Sequence, residues 1–179
     1  SGGTTVRVAV FGNSFPLGHH CDDIASNHTS VKDQFRSPGS PPFRHARSSG
    51  SFLWCSYPAR FTLMLEQAFP NAALEVVSLA QGGTCPGSGA KYFDEDMAAQ
   101  FGDSPVDLYI VDYTSCSTTR LMKVFLANKE KMGFASFNRF YLQDMLLQYE
   151  QLLQTIRRRD GTRAATLLVM DAWDGDAGS

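Results

Sequence analysis

The chain has little cysteine, no excess of positive charge and no long apolar run. Its four cysteines among 179 residues are too few for a fold built mainly on disulfide bonds. Lys and Arg together number 16 against 18 Asp and Glu, which gives a net charge of −2. No apolar run approaches the roughly 20 residues that a membrane-spanning helix needs. These absences argue against a transmembrane segment and against nucleic acid as a partner held by a positive field.

Glycine-rich phosphate motifs and spaced metal-ligand pairs are also missing. The first apolar segment is not followed by G-x-G-x-x-G, and G-x-x-x-x-G-K-[ST] occurs nowhere, which argues against a nucleotide-binding domain. The segment from His19 to Asp23 contains metal-ligand residue types, but it lacks a second pair such as C-x₂-C. We therefore expect no cofactor and no metal.

The apolar patterning predicts alternating strands and helices. Strands are predicted at 6–11, 74–80, 107–113 and 164–170, and helices at 57–69 and 138–159. The predicted buried faces are Phe61, Met64, Leu65 and Phe69 on the first helix, and Leu142, Leu146, Tyr149, Leu153 and Ile156 on the second. This alternation is typical of a doubly wound, flavodoxin-like parallel sheet in three α/β/α layers. We expect one domain over 1–179.

A long polar region interrupts this pattern at about 18–51. It contains Ser-Pro-Gly-Ser-Pro-Pro and Arg-Ser-Ser-Gly-Ser, which cannot form a helix or a central strand. A structureless stretch of that length is unusual inside a compact domain. We expect either an insertion over a site or a disordered flap.

Small and polar residues follow the ends of the first three predicted strands. The first is followed by Gly12-Asn13-Ser14 and the second by Gln81-Gly82-Gly83-Thr84, and the third ends in Asp112-Tyr113-Thr114-Ser115-Cys116-Ser117. In doubly wound sheets, ligands bind in the loops at the carboxyl ends of the strands. A serine on a tight turn there can present its hydroxyl, and a glycine allows the backbone N–H to approach a ligand.

Taken together, the three strand ends resemble the SGNH (GDSL-type) hydrolase family. The likeness includes the segments Trp54–Phe61 and Val76–Thr84, and it extends over most of the chain from Val6 to Asp171 apart from the polar insertion. The resemblance implies that Ser14 is the nucleophile and that the Gly83 N–H helps to hold the oxyanion. It places Cys116 at the position of the family's oxyanion asparagine.

The sequence departs from the family pattern in two places. Cys116 and Ser117 replace the Asn-Asp pair, and a thiol is only a weak hydrogen-bond donor. The family's base comes from an Asp-x-x-His segment after the last strand, whereas His19, His20, His28 and His45 all precede the second predicted strand. We therefore expect the chain to be truncated after its fourth strand, short of that segment. We do not expect His19 or His20 to replace the base, because loop histidines are usually exposed to solvent.

The resemblance predicts an ester hydrolase, either an esterase or a lipase, and carbohydrate deacetylation is one form of this activity. The substrate would be a small-molecule ester or an acylated carbohydrate, and acyl transfer to a sugar hydroxyl is chemically close. The alternative is a non-catalytic binding module that keeps the sheet and has lost the asparagine donor and the histidine. An Asp-x-x-His segment beyond Ser179 would favour the enzyme.

The four cysteines permit two disulfide bonds. Cys85 and Cys116 follow neighbouring strand ends in the expected fold, and Cys21 and Cys55 bracket the polar insertion. Buried free thiols are the alternative. The tripeptide Asn27-His28-Thr29 is an N-glycosylation sequon, which together with the even cysteine count is compatible with secretion.

Overall fold

The computed structural model describes residues 5–13, 43–46, 56–114, 127 and 134–169. The strands are β1 (Thr5–Gly12), β2 (Phe43–His45), β3 (Ala73–Ser78), β4 (Leu108–Asp112) and β5 (Ala165–Val169). The helices are α1 (Tyr57–Ala68), α2 (Pro86–Phe101) and α3 (Phe134–Asp160). Within these ranges, no helix is both long and apolar enough to cross a bilayer.

The described strands form one parallel sheet in the order β2-β3-β1-β4-β5. After β1 the chain continues to β2 and β3 on one side of the sheet, and after β3 it crosses to β4 and β5 on the other side. The strand order therefore reverses between β1 and β4. The crevice at the carboxyl ends of these two strands is where a doubly wound fold binds its ligand.

Each face of the sheet packs against helices, which gives the expected three layers. On one face, the side chains of Phe11, Val77 and Tyr109 form a buried cluster with residues of α2 and α3. On the other face, Val8, Val10, Val76 and Ile110 form a second cluster, against which Tyr57 and Phe61 of α1 pack. The apolar runs in β1, β3 and β4 are explained by this burial on both faces.

All four predicted strands are confirmed, and the predicted doubly wound α/β fold is correct. Two elements were not expected. Strand β2 lies inside the polar region that was predicted to be structureless, and it pairs with β3 at the edge of the sheet. Helix α2 occupies a segment to which the sequence pattern assigned no element. An edge strand as short as β2 is stabilised by its neighbour and leaves little signal in its own sequence.

For both helices, the prediction of which residues are buried was partly wrong. In α1 the buried residues are Pro58, Ala59 and Thr62, whereas Met64 and Phe69 are exposed. In α3 the predicted residues Leu142 and Leu146 are more than half exposed, and Met145 and Leu152 are buried instead. Successive helical residues differ by 100° in direction, so a shift of one position decides which face meets the sheet. Tyr149 and Ile156 are buried as predicted.

A mostly apolar groove runs between α3 and β5. It is lined by Leu146, Tyr149, Glu150, Leu153, Gln154, Arg157 and Leu168. On the opposite face of β5, Leu167 is also exposed. In the part of the chain that the structure describes, β5 pairs with β4 alone, so it forms an edge of the sheet.

Candidate functional site

The carboxyl ends of β1, β3 and β4 converge on Gly12 and Asn13. The loop after β3 is held to the end of β1, because the Gln81 N–H donates to the Gly12 carbonyl at 2.9 Å. The Thr84 hydroxyl lies 3.4 Å from the same oxygen. On the other side, the Asn13 N–H donates to the Asp112 carbonyl at 3.2 Å. The structure thus brings together three of the strand ends that the sequence analysis selected.

Gly83 occupies a turn that requires glycine. The Thr84 N–H donates to the Gln81 carbonyl at 3.3 Å, and Gly83 has a φ of 74°. A positive φ at the third position is typical of a type II turn, and side chains with a Cβ rarely adopt it. Gly83 is exposed, and its N–H has no acceptor among the described residues. This amide is therefore available to an incoming ligand.

Ser14 and Cys116 lie outside the described residues, so their predicted roles are not tested by the structure. The Asn13 N–H is bonded to the Asp112 carbonyl, so the described part of the β1 end lies where the three strand ends meet. The described segment after β4 ends at Thr114, and Cys116 comes two residues later in the sequence.

Asp112 is a buried carboxylate at the tip of β4. It is 3% exposed, and its Cα pairs with that of Gly12 in the neighbouring strand. Its Oδ1 accepts from the Thr114 N–H at 3.2 Å and from the Thr114 hydroxyl at 2.8 Å. A carboxylate that accepts from the N–H two residues later closes an Asx turn. Asp112 thus fixes the backbone where the chain leaves β4.

The phenol of Tyr57, the first residue of α1, lies near the Asp112 carboxylate. Burial raises the pKa of Tyr57 well above its ordinary value, and the negative charge of Asp112 raises it further. Because the pKa is raised, the phenol stays protonated through the neutral and moderately alkaline range. The start of α1 therefore places a neutral hydroxyl beside the buried carboxylate.

A narrow cleft opens at the same edge of the sheet, on the α2 side. Its lining includes Phe11 and Leu79 from the strand ends, Gln81 and Thr84 from the β3 loop, Ser88, Gly89, Tyr92 and Asp96 from α2, and Tyr113. Its cavity volume is about 10 Å³. A space of this size admits one water-sized group.

The described histidine, His45, is the last residue of β2 and pairs with Ser78 in β3. Ser78 is fully buried on the α1 side of the sheet, so its hydroxyl does not reach the solvent-exposed Gly83 turn. His19, His20 and His28 lie outside the described residues. Among the residues that the structure covers, no group of three His, Cys, Asp or Glu side chains could hold a metal ion.

Cys85, at the N-cap of α2, is disulfide-bonded, and the other three cysteines lie outside the described ranges. Of the two alternatives left open by the sequence, Cys85 therefore takes the disulfide and not the free thiol, whereas its pairing with Cys116 stays a hypothesis. The bond ties the end of the β3 loop to another segment. Cys85 lies only two residues after Gly83.

The sequence analysis named Asp112 at the end of the third strand, but it gave neither Asp112 nor Tyr57 a role in the site. A signal was present for Asp112, because a charged residue stands at the last position of the apolar strand Leu-Tyr-Ile-Val-Asp. Buried carboxylates are rare unless they are paired or hydrogen-bonded. Tyr57 gave no such signal, since an aromatic residue at the start of a helix is ordinary.

Comparisons with known proteins find similar folds and no similar sequences. No family model matches the chain, and no curated protein matches it. A two-domain esterase, CEX, active on acetylated mannans, superposes with a TM-score of 0.52 at 13% identity over 97% of this chain. A W215I variant of Axe2, an acetyl xylan esterase from Geobacillus stearothermophilus, gives 0.52 at 15% identity over 93%.

This chain spans 32% of the length of the mannan-active esterase and 60% of that of the xylan esterase variant. At such low identity the likeness shows the fold, namely a five-stranded all-parallel sheet between helices. The chain therefore shares its architecture with esterases.

Proposed function

We propose that this chain carries the nucleophile and part of the oxyanion hole of an SGNH-type ester hydrolase. Ser14 Oγ attacks the acyl carbonyl and gives its proton to a base, which in the SGNH family is a histidine that does not occur after Gly83 in this sequence. The N–H groups of Gly83 and Ser14 hold the negative oxygen of the tetrahedral intermediate, whose C–O ester bond then breaks to leave an acyl-serine and release the protonated alcohol. Loss of one such donor typically costs about 100- to 1000-fold in rate. Cys116, at the place of the family's asparagine, is at most a weak third donor.

One observation carries this proposal: the exposed Gly83 amide lies in a loop that is hydrogen-bonded to the last residue of β1. The Gln81 N–H and the Thr84 hydroxyl both approach the Gly12 carbonyl, and Ser14 follows two residues later. A hydroxyl and a free amide at one strand edge are the parts that acyl transfer requires. The esterase folds of the two structural neighbours agree with this chemistry.

We propose short acyl esters of carbohydrates as the substrate class. The cleft beside the Gly83 loop has room for about one water-sized group, which an acetyl methyl group would fit. Of the structural neighbours named above, one is described as active on acetylated mannans and the other as an acetyl xylan esterase. The polar side chains of Gln81, Ser88 and Asp96 around the cleft are suited to sugar hydroxyls.

The proposal is tested by labelling the 179-residue chain with fluorophosphonates and locating the adduct by mass spectrometry. We expect slow, saturable labelling at Ser14, faster with a methyl than with an octyl phosphonate arm. Ser14→Ala abolishes the labelling, and Ser104→Ala, a serine between α2 and β4 at the amino end of the sheet, leaves it unchanged. Turnover of p-nitrophenyl acetate is expected to stay near background, because no histidine follows Gly83.

Two other outcomes would change the assignment. An absence of any adduct at Ser14 contradicts the hydrolase proposal and supports the non-catalytic binding module. Robust turnover that Ser14→Ala abolishes would show that another group in this chain acts as the base, and His45 at the end of β2 would then be the first residue to replace.

A further inference from the structure

We infer that Asp112 is a positioning residue, which fixes Asn13, directly before Ser14, and Thr114, two residues before Cys116, relative to each other. The effect of Asp112 on catalysis rests on the proposed function, whereas its effect on the two backbone segments does not. The inference starts from the place of Asp112 in the sheet. It is the last residue of β4, and its Cα pairs with Gly12 at the switch point of the strand order.

The backbone and the side chain of Asp112 act on different turns. Its carbonyl accepts from the Asn13 N–H at 3.2 Å, which holds the residue before Ser14. Its Oδ1 accepts from the N–H and the hydroxyl of Thr114, which holds the chain two residues before Cys116. The side-chain hydrogen bonds fix the backbone orientation of Asp112. They therefore also orient its carbonyl, which accepts from the Asn13 N–H.

Burial makes the hydrogen bonds of Asp112 strong and sensitive to their geometry. Asp112 is 3% exposed, and hydrogen bonds to a charged group are about twice as strong as those between neutral groups. The Tyr57 side chain lies near the carboxylate. An oxyanion hole depends on donors that are already in place before the reaction, so a residue that fixes the backbone before two of its proposed members is expected to act on the rate and not on binding.

The geometric part is tested by amide hydrogen exchange in the full 179-residue chain. In Asp112→Leu we expect exchange at both Asn13 and residue 114 to rise about tenfold or more, because both turns loosen when the carboxylate is lost. In Asp112→Asn, which keeps Oδ1 as an acceptor, both rates stay within about threefold of the wild type. Thr114→Val removes only the hydroxyl donor and raises both rates by a smaller factor.

The matched control is Asp107→Leu, just before the other end of the same strand. Asp107 Oδ2 accepts from the Arg7 N–H at 2.8 Å, so this carboxylate also holds a backbone amide, but far from the site. We expect exchange at Asn13 and residue 114 to be unchanged in this variant. Faster exchange at residue 114 with no change at Asn13, in both Asp112→Leu and Thr114→Val, would overturn the inference.

The catalytic part is tested by the kinetics of fluorophosphonate labelling at Ser14. We expect Asp112→Leu to lower the limiting rate constant about tenfold while the half-saturating concentration is unchanged, and Asp112→Asn to restore most of the rate. A general loss of structure would change both quantities and would not be rescued by asparagine. If the wild type is not labelled, the proposed function fails, but the exchange rates still decide whether Asp112 couples the two turns.

Discussion

At the scale of single residues, Gly83 combines a backbone requirement with a chemical one. Its φ of 74° lies in the left-handed region, and a Cβ added there would meet nothing within 4 Å. Glycine is therefore needed for the backbone conformation and not for space. The same conformation presents the N–H outward beside the end of β1.

Gly83→Ala is expected to lower the free energy of unfolding by about 1 kcal/mol, because a Cβ is strained at positive φ. The strain also changes the direction of the N–H at residue 83, so we expect fluorophosphonate labelling at Ser14 to slow. Chemical denaturation and labelling kinetics measure the two effects separately.

The matched control is Gly161→Ala. Gly161 also has a positive φ and open space around its Cβ position, but it lies just after α3, at the amino end of β5. It should show a similar loss of stability with no change in labelling. An equal slowing in both variants would show that the effect of Gly83 is general and not local.

At the scale of secondary-structure elements, α2 packs against the strand ends through a glycine. A Cβ at Gly89 would lie 2.3 Å from the Tyr113 hydroxyl, which is closer than side chains can approach. Tyr113 is buried and packs edge-on against Tyr149 of α3. The tyrosine thus fixes how near α2 comes to the exit of β4.

Gly89→Ala is expected to destabilise the protein by about 1–3 kcal/mol through overpacking. Tyr113→Phe removes the clashing oxygen, so the double variant should recover part of that loss. A double-mutant cycle measured by thermal or denaturant unfolding gives the coupling. Strictly additive effects would contradict direct contact between these two residues.

Helix α3 offers a second test, because a buried leucine and an exposed leucine of the same helix can be compared. Leu152 is fully buried, and Leu146 is 58% exposed. We expect Leu152→Ala to cost about 2–5 kcal/mol and Leu146→Ala less than about 1 kcal/mol, measured by urea unfolding. Similar losses at both positions would show that the groove beside β5 is covered in solution.

At the scale of the whole molecule, two tyrosines whose hydroxyls are buried connect stability to pH. Burial raises the pKa of Tyr57 and of Tyr109 well above the ordinary value, and the neighbouring carboxylates of Asp112 and Asp160 raise them further. The Tyr109 hydroxyl donates to Asp160, which joins β4 to the end of α3. Both phenols stay neutral in the folded state at a pH where the unfolded chain ionises them.

The free energy of unfolding is therefore expected to fall as pH rises above about 10, the ordinary tyrosine pKa. Below that pH both states hold the proton, so the contribution is complete. Above it each phenol gives a slope of up to about 1.4 kcal/mol per pH unit. Tyr57→Phe and Tyr109→Phe should each reduce the slope between pH 10 and 11, and an unchanged slope in both would contradict burial of the two phenols.

The sequence by itself determined the strands and the doubly wound sheet, because runs such as Val-Arg-Val-Ala-Val-Phe have a local preference that burial on both faces reinforces. It also located the Gly83 turn, since a glycine pair after a strand is a local signal. Tertiary structure alone decided that Leu152 and not Leu146 faces the core, that Phe43–His45 forms an edge strand, and that Asp112 lies beside Gly12 and Tyr57. These features depend on contacts between segments far apart in the chain, and no local pattern of residues encodes them.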